Sequence, residues 1–493
     1  MLAQGRHTCV RIAVATWLLA LGPVAAAGAA SGPTPDLRTE HLLLRATPGA
    51  MAEPNVAIDA RNPSHMAVAA DPYLDPTCIQ ISVTTNAGRT WSAAMTVLPP
   101  GERKSYDPQL GYAADGTLLV TGGASADTRD GCLRASKVFI AALHGTQFTY
   151  HVIAAAPAGA LLDRPTLLIT PVPKLQLVVG WTTSPGPGAE CSLRPSRSHT
   201  QVALLTSQLG VRTVATLPSV AQAPFGSALA ISGEGVLGLA VAARDRSDNL
   251  IIGIYQSSDG THWQFSPAGS AKAEPDELAG LGGVVLSMPS IAGLPHGFAV
   301  AWTDATGGIE RTRIARNDTG AWKDVAPPPA RGRRLLPTLA VAGETLVLVQ
   351  AGLTPAGLTF YTWQQRGSAW SSVATDPGGR ALDRREVGEL LGLAATAQGG
   401  RISAFPVDVA GFSALLVRTR TPAQQPTATA SASASQTKRK DPVAGEPSDA
   451  GGSVSTRVLL GLGAVLAGLA GLLALGRERA RRLRRRRSRR PHR

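Results

Sequence analysis

"TTNAGRTW" at residues 84–91 reads as a short polar turn closed by a tryptophan, and "SSDGTHW" at 257–263 repeats it in a version one residue shorter. In such a turn a hydroxyl and an Asx side chain hydrogen-bond the turn's own backbone. Glycine supplies the unusual dihedral, and the tryptophan packs between sheets. "NDTGAW" and "QRGSAW", ending at Trp322 and Trp370, keep the glycine and the tryptophan. Each turn falls between two short apolar runs and so joins two strands of a hairpin.

Outward from these turns, a larger unit recurs. A proline opens an apolar strand, a turn follows, and a second apolar strand completes the pair: "EPNVAIDARNPSHMAVAA" at 53, "DPQLGYAADGTLLVTGGA" at 107, "RPTLLITPVPKLQLVVGWT" at 164, "APFGSALAISGEGVLGLAVAA" at 223, "MPSIAGLPHGFAVAWTD" at 288 and "LPTLAVAGETLVLVQAG" at 336. "GELLGLAATAQGGRISAFPVD" at 388 repeats it without the proline. Two further strands follow most of these pairs. A repeat of about 50 to 65 residues with four short strands is one blade of a β-propeller. The expectation is therefore an all-β, seven-bladed β-propeller, with six blades as the alternative if one unit is misread. The seventh unit stops after a third strand, "GFSALLVRT". The lone strand "TEHLLLRAT" at 39–47 is expected to supply its outer strand and close the ring, removing an exposed edge.

Thr84, Asn86, Gly88 and Trp91 match the Asp-box pattern of the sialidase-like BNR-repeat propellers, and Ser257, Asp259, Gly260 and Trp263 form the shortened version. The chain thus resembles that family, and in it these residues are structural. The resemblance implies glycoside hydrolysis by an arginine triad, a tyrosine nucleophile paired with a glutamate, and an aspartate acid/base. This sequence departs from that set: "EPNVAID" stands where the family has Arg-Ile-Pro, and the last unit holds no tyrosine. No catalytic residue is carried over, and whether the chain is an enzyme stays open.

Composition locates the charge and the compartment. The formal charge of +14 sits mostly in the tail, where 11 arginines between Arg477 and Arg493 face only Glu478. With Arg6 and Arg11 in the leader, about +2 is left for the body, which excludes a basic nucleic-acid face. Residues 1–29 read as a signal peptide: two arginines, the apolar run "IAVATWLLALG", and small residues for cleavage near Ala27 or Ala29. The body, 36–420, is the ectodomain. Residues 421–455, rich in Thr, Ala, Ser, Pro and Gly, read as a disordered stalk. Residues 456–476 form an uncharged span of membrane-crossing length once Arg457 is set aside, and 477–493 are a cytoplasmic arginine tail. The expected location is a plasma membrane crossed once, with the propeller outside. Heavy use of Ala, Gly and Arg fits a GC-rich bacterial genome.

Chain direction alternates along a blade, so the starts of the first strands lie opposite the tryptophan turns. Glu53, Asp107, Asp163, Arg164, Arg334 and Glu386 are expected to ring one mouth of the central channel, where convergent polar groups make a ligand site. The same groups serve equally as strand caps or solvated rim charges. No metal-ligand spacing and no cofactor motif is present. Cys9 leaves with the leader, and Cys78, Cys132 and Cys191 each precede a third strand. A disulfide between neighbouring blades is expected, either Cys132 with Cys191 or Cys78 with Cys132. The functional expectation is a non-catalytic surface module for a glycan, an envelope component or a protein partner. The alternative is a sialidase-type glycoside hydrolase or lyase on the same scaffold.

Overall fold

The computed structural model describes residues 37–42, 51–72, 78–126, 132–186, 198–220, 222–244, 249–272, 288–329, 332–354, 357–377, 391–409 and 412–420. The predicted leader, stalk, membrane span and arginine tail lie outside these residues, as do Cys191 and Glu386. No helix among the described residues is long and apolar enough to cross a membrane. By contacts the chain divides into two units, residues 1–425 and 426–493, and every described strand belongs to the first.

These strands build a seven-bladed β-propeller of four-stranded antiparallel sheets. After β1 (Leu37–Leu42), blade 1 comprises β2 (Met51–Ile58), β3 (Met66–Pro72), β4 (Ile79–Thr84) and β5 (Met95–Val97). Blade 2 holds β6 (Lys104–Tyr112), β7 (Leu118–Ser125), β8 (Lys137–His144) and β9 (Gln147–Ala155), and blade 3 holds β10 (Leu161–Ile169), β11 (Leu177–Ser184), β12 (His199–Leu205) and β13 (Val211–Thr216). Blade 4 runs through β14 (Gln222–Ile231), β15 (Leu237–Arg244), β16 (Asn249–Ser257) and β17 (Gln264–Lys272). Blade 5 has β18 (Ser290–Gly293), β19 (Phe298–Asp304), β20 (Arg311–Arg316) and β21 (Lys323–Val325). Blade 6 has β22 (Arg333–Ala342), β23 (Thr345–Thr354), β24 (Gly357–Arg366) and β25 (Ala369–Pro377). Blade 7 contributes β26 (Gly392–Ala395), β27 (Arg401–Val409) and β28 (Phe412–Arg420) from its own segment.

The fourth strand of blade 7 is β1. It pairs antiparallel with β28 from Leu37 opposite Arg420 to Leu42 opposite Leu415, so the two ends of the propeller segment close the ring. This strand begins two residues before the expected "TEHLLLRAT", and residues 43–47 lie outside the described set.

Burial follows position within a blade. The second strands β7, β11 and β19 are buried at every residue, because a neighbouring blade covers each face. They therefore read in the sequence as apolar and small residues without a polar alternation, closed by Ser, Thr or Asp at the far end. The outer strand β13 alternates between exposed and partly buried residues, since only one face has a neighbour.

The tryptophan turns hold adjacent blades together. Thr84 Oγ1 accepts from the amides of Asn86 at 3.3 Å and Gly88 at 3.1 Å, and Asn86 Oδ1 accepts from the Thr90 amide at 2.9 Å. In blade 4, Ser257 Oγ accepts from the Gly260 amide at 2.8 Å, while Asp259 Oδ1 accepts from the amides of Thr261 at 2.7 Å and His262 at 2.8 Å. Gly88 and Gly260 take φ values of +80° and +75°, and a Cβ there would stand 2.9 Å from Thr419 Oγ1 of blade 7 and 2.8 Å from Leu204 of blade 3, respectively. Both the dihedral and the close approach exclude a side chain. Trp91 packs with Ile402, Leu415 and Val417 of blade 7, and Trp263 with Leu175, Val202 and Leu204 of blade 3. Trp322 reaches blade 4, donating to Ser266 Oγ at 2.8 Å, and Trp370 reaches blade 5, donating to the Ala326 carbonyl at 2.9 Å. All four tryptophans thus pack against the preceding blade around the ring.

Candidate functional site: a carboxylate cluster at the channel mouth

In the first strands a proline cannot donate to the ladder, and the pairing breaks into a bulge around it. The register shifts between Ala52 and Asn55 in β2, between Tyr106 and Gln109 in β6, between Asp163 and Thr166 in β10, and between Leu335 and Thr338 in β22. The residue before each proline takes a left-handed backbone: Glu53 at +52°, Asp107 at +53°, Arg164 at +56° and Leu336 at +53°. None is a glycine, so each bulge carries backbone strain that the surrounding blades must hold.

In blades 1 to 3 the bulges bring charged side chains together. Arg164 donates its backbone amide to Asp107 Oδ2 at 3.1 Å, and the Asp107 amide reaches Asp71 Oδ2 at 3.4 Å. Arg164 Nη1 lies 3.6 Å from Glu53 Oε1, and its Nε lies 3.9 Å from Asp163 Oδ2. The Asp107 carboxyl faces those of Glu53 and Asp163 closely enough for each to shift the others' protonation. Oxygens of Glu53, Asp71 and Asp107 lie within 4.8 Å of one another. A shallow, open depression over the cluster is lined by Glu53, Asp107, Gln109 and Arg164 and by the apolar Pro108, Pro165 and Met288. A further link joins blades 1 and 2 beneath it, where Asn55 donates to Gln109 Oε1 at 3.0 Å and accepts from the Leu110 amide at 2.9 Å.

Four acids around one guanidinium carry more negative charge than the site neutralises. Burial, and then the charge of Asp107, push Asp71 up to about 8 and Asp163 up to about 7. Burial raises Glu53, with Asp71 adding to it, and it raises Asp107 well above the usual carboxylate range, with Glu53 adding to it. Protons are therefore shared within the cluster near neutral pH.

Of the six residues expected at the mouth, the structure gathers Glu53, Asp107, Asp163 and Arg164, while Glu386 falls outside the described residues. Arg334 is placed elsewhere. The residue before the blade 6 proline is Leu336, so the bulge puts leucine, not arginine, in the position equivalent to Glu53. Arg334 is buried within blade 6, its guanidinium carbon 4.3 Å from the centre of the Tyr361 ring and its Nη1 donating to the Arg333 carbonyl at 3.1 Å. It does not line the depression.

Asp71 is the member that sequence reading passed over. It sits on β3 directly across from Ala52 at the edge of the bulge. The equivalent residues of blades 2, 3 and 6 are Gly123, Thr182 and Ala351. A single acid at the end of the apolar run "MAVAAD" was the available signal. Cys78 and Cys132, ahead of the third strands of blades 1 and 2, are both disulfide-bonded.

Comparison with known proteins returns distant structural matches. No protein-family model matches the sequence, and neither does any curated protein. Similar solved structures include a protein of unknown function from Dyadobacter fermentans, 13% identical over 78% of this chain and 99% of that one, with a TM-score of 0.45. The Hadza microbial sialidase Hz136 is 14% identical over 69% of this chain and 73% of that one, with a TM-score of 0.42. A Trypanosoma rangeli sialidase is 12% identical over 76% of this chain and 55% of that one, with a TM-score of 0.39. At these values the likeness transfers no chemistry to this chain.

Proposed function

We propose that this protein is a surface module that binds a glycan at the channel mouth without turning it over. Its blades are braced by Asp-box turns at 84–91 and 257–263, its stalk is 421–455, and its anchor is a membrane span at 456–476. One observation carries the binding reading: the depression combines carboxyl oxygens from Glu53 and Asp107, the Gln109 amide and the Arg164 guanidinium with the apolar surfaces of Pro108, Pro165 and Met288. Sugars present hydroxyls on their rims and C–H faces between them, and that mixture of donors, acceptors and flat apolar groups matches both. The arrangement suits catalysis less well. Glycoside chemistry sets two carboxyl groups on either side of the bond, at least about 5 Å apart. Here oxygens of Glu53, Asp71 and Asp107 crowd within 4.8 Å of one another on one side of the depression. Arg164 is the only arginine among the residues lining the depression, and it is engaged by Glu53 and Asp163.

The second reading, a glycoside hydrolase or lyase, draws on Asp163. A carboxyl pushed up to about 7 retains a proton near neutrality and can act as a general acid. Both readings meet one experiment. The full chain, purified in detergent, is applied to a glycan array and assayed against fluorogenic sialosides and other glycosides. Binding that falls at least tenfold in Arg164→Met, with no turnover of any substrate, supports the module. Turnover that disappears in Asp163→Asn replaces it with the enzyme.

A further inference from the structure

We infer that Glu53, Asp71 and Asp107 form a binding site for one divalent cation, calcium by its oxygen-only ligand set, that ties blade 1 to blade 2 at the channel mouth. Three carboxylates converge from two blades, with one oxygen of each within 4.8 Å of the others. An ion placed among them lies within about 2.8 Å of each, a few tenths of an ångström beyond the 2.3–2.6 Å of calcium–oxygen bonds. Small rotations of the side chains close that gap.

A second observation, separate from the clustering, points to a missing partner. Asp71 is 7% exposed, and its Oδ2 accepts from the Asp107 amide. Its Oδ1 is buried and has no hydrogen-bond partner among the described residues. A buried carboxylate oxygen with nothing to accept from is costly, and buried charges are met by pairing or by metal coordination. Arg164 contacts the carboxylates of Glu53 at 3.6 Å and Asp163 at 3.9 Å, and no hydrogen bond among the described residues reaches the Asp71 Oδ1. A divalent ion supplies both the charge and the ligand contact that Asp71 lacks. Magnesium is the poorer fit, because it holds its waters and requires near-octahedral geometry at shorter distance.

The site stands on this geometry whether or not the depression above it takes a sugar, and its test contains no glycan. The detergent-purified full chain, stripped with EDTA and dialysed at pH 7.5, is titrated calorimetrically with calcium chloride and melted with and without the ion. The expected result is one calcium per chain, a melting temperature raised by several degrees, and reversal by EDTA. Asp71→Asn is expected to weaken calcium binding at least tenfold while still melting cooperatively in EDTA. If that variant fails to fold, Glu53→Gln takes its place with the same expectation. The proposal is overturned if wild-type protein shows neither heat nor a melting shift at millimolar calcium, or if binding persists unchanged in the folded variant.

Discussion

At Glu53, Asp107 and Arg164 the chain accepts a left-handed backbone immediately before proline, and what it gains is side-chain convergence across three blades. That convergence makes folding stability depend on pH. Asp71 is pushed up to about 8 and Asp163 up to about 7, whereas both titrate near 3.8 when unperturbed. Between those limits the folded protein holds protons that the unfolded chain releases, so the stabilisation is fully present below about pH 4 and is lost as pH rises toward 8. In EDTA, the full chain is expected to melt at higher temperature at pH 5 than at pH 8.5. Asp71→Asn removes one of the titrating groups and should flatten the dependence. A melting temperature that rises between pH 5 and pH 8.5 in chelator would contradict the proton sharing described for the cluster.

At the scale of the element, the third-to-fourth strand hairpin does two jobs. Its hydroxyl and Asx side chains satisfy the turn backbone, and its tryptophan fastens the blade to the one before it. The two contributions separate by mutation. Trp263 is 7% exposed and fills the seam with blade 3, so Trp263→Ala should cost about 3–5 kcal/mol. Ser257→Ala leaves the buried Gly260 amide without its acceptor and should cost about 1–3 kcal/mol. His262 is exposed on the same turn, and His262→Ala should lie within about 0.5 kcal/mol of wild type. Urea denaturation of the three variants gives that order, Trp263 largest, if the tryptophan seam and not the turn dominates. The same hairpins explain why "NDTGAW", which keeps its Asx residues, and "QRGSAW", which has none, both keep the tryptophan: in these blades the seam needs the indole, whereas a turn closes in more than one way.

For the whole molecule, ring closure decides cooperativity. Neighbouring blades meet through side chains and isolated backbone hydrogen bonds, such as Gly233 to the Leu294 carbonyl and Arg334 to the Glu310 carbonyl, whereas in blade 7 β1 adds a whole backbone ladder joining the first strand of the propeller to the last. Deleting residues 37–42 leaves β28 as an unpaired edge, which is a template for pairing with another chain. The expected outcome is a broadened thermal transition at lower temperature, with self-association seen by size-exclusion chromatography. A deletion variant that stays monomeric with an unchanged melt would show that the contacts between neighbouring blades hold the ring without the β1 ladder.

Much of this architecture was legible in the residues because it rests on local chemistry. The seven repeats, the four strands in each and the strand that closes blade 7 follow from alternation, turn residues and the burial of second strands on both faces. The glycine-to-tryptophan turns follow from hydrogen bonds spanning two to four residues. The candidate site was legible only in part. Glu53, Asp107 and Arg164 each stand immediately before a proline and could be aligned, whereas Arg334 stands two residues ahead of Leu336, which fills that position in blade 6. Asp71 joins the cluster from the neighbouring strand, 18 positions from Glu53 in the chain. The sequence by itself determined the repeat of strands and the glycine-to-tryptophan turns, since those depend on contacts between near neighbours in the chain. Only the tertiary structure decided which charges meet at the mouth, because that is set by where the ring places three separate blades and by the sharing of protons among groups no spacing rule connects.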